Sequence, residues 1–138
     1  MSWLVYAAIS ALAAAATAIL AKLGVEGVPS TLATAVRTVI VVVFAWLMVF
    51  QTGEFRSVAA VSRRSLLFLT LSGIATGISW LAYFRALQLG PASRVAPIDK
   101  LSLPLTVLLA ALLLGERVRW QVGLGVALMT AGALLTLL

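Results

Sequence analysis

Neither cysteine nor histidine occurs in the 138 residues. Their absence removes disulfides, thiolate nucleophiles, Ser-His-Asp catalysis and the usual Cys/His metal centres, so no enzyme and no cofactor is expected. Acids are scarce too: four Asp or Glu stand against ten Lys or Arg, and charged residues make up only 10% of the chain. A soluble globule of this size needs a polar exterior, and a chain that is 63% hydrophobic has too little polar material to supply one. The N-terminus lacks the charged n-region and cleavage site of a secretory signal, so its first apolar run is expected to stay as a mature span. A basic patch with interleaved aromatics is also missing. The net charge of +6 comes from cations scattered singly or in pairs, mostly at the ends of apolar runs, which is no nucleic-acid signal.

What the chain does have is apolar length. Runs over about 3–22, 31–51, 65–89, 93–114 and 120–138 predict five transmembrane helices, an all-α membrane protein with one domain over 1–138. Gly24, Gly27 and Pro29 mark the first loop, with Ser30 as the expected N-cap of the second helix. The polar stretch Gln51 to Arg64 reads as a loop at the membrane surface, Gly90–Pro91 as an abrupt stop, and Gly115 to Arg119 as the last tight turn.

The fourth run is the anomaly, because an adjacent Asp99–Lys100 pair lies inside it between Pro97 and Pro104. A charge near the middle of a span costs roughly 2.5–3.5 kcal/mol on insertion scales, so such residues turn toward protein or water and mark ion and substrate paths. Each proline removes a backbone donor, so the helix is expected to loosen around the pair. Ser102 and Thr106 follow Asp99 at i+3 and i+7, on one helical face. Glu26, Glu54 and Glu116 all fall at loops, which leaves Asp99 as the acid to carry a coupling proton.

Hydroxyls also line up in the third run, where Ser72, Thr76, Ser79 and Tyr83 recur at helical spacing with Trp80 beside them. Lipid gives such a stripe nothing, so it is expected to face neighbouring helices or a cavity whose aromatic surface suits a small apolar or cationic solute. Arg85 lies off this stripe. Counting outward from Ala92 puts Arg85 and Asp99 at equal depth, which predicts an ion pair between them. Arg37, about 10 Å into the second run, either snorkels to the headgroups or binds solute. Arg37, Arg85 and Lys100 together would suit an anionic or zwitterionic cargo. The small residues of the first run (Ser10, Ala14, Thr17, Ala21) and of the last (Gly125, Gly132, Thr136) suit close helix packing, the last against another copy.

Loop charge places five cations (Arg56, Arg63, Arg64, Arg117, Arg119) on one side and Lys22 and Arg94 on the other. Adding the three cations inside the runs to the poorer side makes five against five, a balance that permits insertion in both senses. No internal repeat is visible within the five runs. An inverted-repeat transporter would therefore draw its second half from another chain.

The stretch ALQLGPASRVAPIDKLSLPLTVLLAALLLGERV, the arginine in TAVRTVIVV and the closing GLGVALMTAGALL resemble the EamA-type family of the drug/metabolite transporter superfamily, in its half-length form. That resemblance implies one half of an inverted-repeat transporter fold, exporting metabolites or drugs through a central cavity. The chain is also similar in size to the small multidrug resistance exporters, but those have four spans and a glutamate in the first, and here the first run has no acid. The expectation is a secondary exporter in a prokaryotic cell inner membrane, multi-pass, moving a small-molecule solute by alternating access as a homodimer, parallel or opposed, joined partly through the fifth helix. The expected pathway residues are Asp99, Lys100, Arg37, Arg85, Tyr83, Trp80, Ser79, Thr76, Ser72 and Ser102. The alternatives are a non-transporting accessory subunit of a related membrane transporter and a flippase for lipid-linked substrates.

Overall fold

The computed structural model describes residues 2–138, and among them every regular element is helical. The order is α1 (Trp3–Gly24), α2 (Ser30–Thr52), a 3₁₀ helix (Glu54–Ala60), α3 (Arg63–Leu89), α4 (Ala92–Asp99), α5 (Ser102–Leu113) and α6 (Trp120–Leu135). Taking α4 and α5 as one span, Ala92–Leu113, four helical segments of 22 to 27 residues are long and apolar enough to cross a bilayer. At about 1.5 Å per residue, 22 residues reach about 33 Å, against a hydrocarbon thickness of about 30 Å. The fifth segment is shorter than expected: α6 has 16 residues. After Leu135 the chain tightens, with Thr136, Leu137 and Leu138 N–H groups donating to the carbonyls three residues back, so helical turns continue as 3₁₀ geometry.

Apolar side chains stand out on all sides of these helices. Val39, Ile40, Phe44, Leu112, Leu113 and Leu114 are all exposed, a distribution that water would penalise and lipid tails or a partner helix would not. Among the described residues the buried set is small: Ala21, Val25, Phe84, Leu87 and Ala133, with Thr34 as the polar member.

The chain divides into two compact units. One comprises Leu20–Gln88 and holds the end of α1, all of α2, the 3₁₀ helix and nearly all of α3. Here α2 begins differently from expectation. Pro29 rather than Ser30 occupies the cap position, its carbonyl accepting from Ala33 N–H at 3.0 Å, and Ser30 is already helical. Proline suits that place because its fixed φ matches the turn and its missing N–H would have had no partner there. α2 ends on Gly53, which takes a left-handed φ of 74° that an L side chain resists. The stretch read as a surface loop is then ordered as the 3₁₀ helix, because Phe55 stacks on Phe50 at 5.1 Å and meets Trp46 at 6.3 Å.

The other unit comprises the chain through Ile19 together with Leu89–Leu138. In it α6 packs against both α4 and α5, and Ala133 is the buried residue of α6.

Candidate solute and ion site

The break between α4 and α5 follows from the two prolines. Pro104 has no N–H to give the Lys100 carbonyl, which instead accepts from Leu103 at 2.9 Å. Leu101 likewise donates to Ile98 three residues back at 3.0 Å, and Lys100 divides its N–H between Ala96 (3.3 Å) and Pro97 (3.1 Å). Two successive three-residue steps interrupt the α-helix at Lys100 and Leu101. Asp99 ends α4 and its carboxylate pairs with Lys100 Nζ at 3.2 Å. The side chains are 35% and 53% exposed, so the pair is open to whatever lies outside this chain rather than sealed in a core. Asp99 is the eighth residue of the 22-residue segment, well inside its length. A broken helix carrying an ion pair at such depth joins a dipole end, a movable charge and loosened backbone in one place, the combination ion- and solute-coupled spans use.

Within Leu20–Gln88 a second cluster forms where α2 and α3 meet. The Arg37 guanidinium carbon lies 3.5 Å from the centre of the Trp80 ring and 6.0 Å from that of Phe84. Trp80 in turn meets Tyr83 edge-on at 5.6 Å and Phe84 at 5.8 Å. Arg37 is thus turned across to the neighbouring helix. Its guanidinium is held by an aromatic ring of α3. The aromatic surface expected to suit a small apolar or cationic solute thus carries, on one face of Trp80, a cation of the chain itself.

Arg85 and Asp99, expected as partners, each bind a near neighbour in their own unit: Arg85 Nη1 donates to Gln88 Oε1 at 3.1 Å, and Asp99 has Lys100. Gln88, which the sequence reading did not single out, joins the layers at this end. Its Nε2 donates to the Val28 carbonyl at 2.6 Å and the Val25 carbonyl at 3.4 Å. Lys22, read as a cation closing the first run, donates from Nζ to the Leu87 carbonyl at 2.6 Å, satisfying an end carbonyl of α3 where the helix dipole favours a cation. The available signal was position, since a Gln in the last turn of an apolar helix must find carbonyls or leave its amide unsatisfied.

The hydroxyl stripe of α3 lies on an exposed face. Thr76 donates to the Ser72 carbonyl at 2.9 Å, while Ser72 and Ser79 are exposed and Tyr83 is half-buried. Ser102 is likewise exposed, its carbonyl accepting from Thr106 Oγ1 at 2.9 Å. Back-bonding of this kind lets a hydroxyl lie in apolar surroundings without a second partner.

Comparison with known proteins agrees with this architecture. The model of the EamA-like transporter family matches residues 1–138. A Sinorhizobium protein described as an uncharacterized transporter in the cobO 3' region is 48% identical over 134 residues, which cover 97% of this chain and 95% of that protein. No solved structure matches the chain. With its helical membrane fold and a family match over its whole length, the chain belongs to the EamA-like transporter family, as a multi-pass membrane transporter.

Proposed function

We propose that the chain is a secondary exporter of small solutes in a prokaryotic inner membrane, in which two copies alternate access to a shared path. Asp99 and Lys100 at the broken fourth span serve as the ion-coupling pair. Arg37, Arg85, Trp80 and Tyr83, with Ser72, Thr76, Ser79 and Ser102, line the solute path. The observation that carries this reading is the interruption at Lys100–Leu101, which sets an open Asp99–Lys100 ion pair within an otherwise apolar span. Pairing is supported by the short buried set, since a path through one copy needs an inner wall that six buried residues scarcely build.

Reconstitution into proteoliposomes with a solute panel and an imposed pH gradient tests the proposal. Wild-type protein concentrates or expels a solute only when the gradient is present, and Asp99→Asn abolishes that dependence while leaving downhill exchange. Undiminished gradient-driven movement by Asp99→Asn refutes the coupling role. No movement of any solute by the wild type would favour the accessory-subunit reading.

A further inference from the structure

We propose that Arg37, held against Trp80, is the receptor for a carboxylate on the transported solute, so that the cargo is an organic acid or a zwitterion and not a cation. The inference rests on the transport reading above and gives it a substrate class. Three observations converge on it. Arg37 lies about 10 Å along α2 from Ser30, in a run with no other charge, yet none of its guanidinium N–H groups has a hydrogen bond or ion pair among the described residues. The ring of Trp80 at 3.5 Å steadies the charge but offers no acceptor for a guanidinium that carries five donors. A half-buried cation in that state lacks its counter-charge.

The other charges of the unit sharpen the choice. Lys22 and Arg85 lie toward the same ends of α1 and α3, each donating to a neutral oxygen, the Leu87 carbonyl and Gln88 Oε1 respectively. Within Leu20–Gln88 the acids are Glu26 and Glu54, both exposed and outside α2 and α3. Arg37 and Arg85 have no ion pair among the described residues, and the charge they carry attracts an oxyanion and repels an organic cation. The face of Trp80 that would hold such a cation is already taken by Arg37. A carboxylate, by contrast, fits the guanidinium fork through two parallel N–H···O bonds. A phosphate of a lipid headgroup presents similar oxygens, so the test separates the two sources.

Wild-type protein is assayed for equilibrium binding of radiolabelled benzoate, succinate and phenylalanine, each against its amide, in maltoside micelles and in phosphatidylcholine nanodiscs. At least one of the acids binds saturably in both media, at least ten-fold tighter than its amide. Arg37→Gln loses that preference, and Arg37→Lys, which keeps the charge but not the fork, retains part of it. A shift of Trp80 emission on binding, read in a variant with Trp3, Trp46 and Trp120 replaced by Phe, places the ligand at this site. The assignment is overturned if all three acids fail to bind, if acids and amides bind alike, or if Arg37→Gln binds as the wild type does. It is also overturned if no acid binds but phosphatidylglycerol raises thermal stability in wild type and not in Arg37→Gln, which gives Arg37 to a headgroup. Binding without transport in proteoliposomes leaves the assignment standing and removes the transport mechanism. Export of organic cations unaffected by Arg37→Gln does the reverse.

Discussion

Arg37 and Trp80 show what a single pair can contribute when it lies away from bulk water. A guanidinium over an indole is worth about 0.5–1 kcal/mol when exposed and about 2 kcal/mol when desolvated, and this pair is half-buried. A double-mutant cycle with Arg37→Gln and Trp80→Leu, read by thermal unfolding in detergent, is expected to give a coupling of about 1 kcal/mol. A coupling indistinguishable from zero would mean the stacking does not hold Arg37 in place. Gln88 belongs to the same scale. Replacing it by Leu takes the side-chain donor from the Val28 carbonyl and leaves the Val25 carbonyl only the 3.4 Å bond from Val28 N–H, and the expected loss is about 1–3 kcal/mol of stability. Gln88→Glu keeps the acceptor for Arg85 but offers no N–H to the two carbonyls; a loss as large as that of Leu assigns the stability to donation, and recovery by Glu assigns it to the contact with Arg85. Neither contact was legible in the sequence. Arg37 and Trp80 are 43 positions apart (80 minus 37), and a polar residue read on its own helix does not reveal which neighbouring helix it turns toward.

At the scale of the elements, more could be read. Apolar runs bounded by Gly, Pro and charged residues are enough to fix where helices lie, because in lipid the backbone has no other way to satisfy itself within one segment. Pro97 and Pro104 announced the loosened fourth span for the same reason, since a missing N–H leaves a carbonyl to be served elsewhere, and the Lys100 carbonyl is served by Leu103. The 3₁₀ helix after α2 was missed because its order comes from Phe55 stacking onto Phe50 and Trp46, a tertiary cause with no periodic trace in seven residues. The discontinuity itself makes a prediction. Pro104→Ala returns the donor to Lys100 and allows α4 and α5 to join, which is expected to raise thermal stability by about 1 kcal/mol or more while lowering the transport rate at least ten-fold. A faster variant, or one slower only in proportion to lost protein, would mean that the break is a tolerated irregularity and not part of the path.

For the molecule as a whole, the decisive fact is how much apolar surface is left uncovered and how evenly the cations are spread. Lipid can cover such surface. It cannot complete a polar path, and the open Asp99–Lys100 pair, with the exposed Ser72 and Ser79 of α3, gains from a polar neighbour in the membrane. On α6, a Cβ built on Gly125 or Gly132 meets nothing within 4 Å, so the chain does not itself use the close approach these residues permit. A second copy is the neighbour proposed above, and its orientation is open to a direct measurement. With no native cysteine, Ser62→Cys and Leu138→Cys each carry one thiol, and a membrane-impermeant maleimide applied to either side of sealed vesicles reports which face each occupies. For a pair inserted in opposed senses, both positions label from both sides in comparable yield. Moving the charge bias should then matter: Arg63→Gln with Arg64→Gln turns the five-against-five balance into three against five (5 minus 2), and the labelling of Leu138→Cys should shift toward a single face as one orientation comes to dominate. If Ser62→Cys labels from one face alone and Leu138→Cys from the other alone, the copies share one orientation. The polar face of α3 must then find its neighbour in a parallel pair.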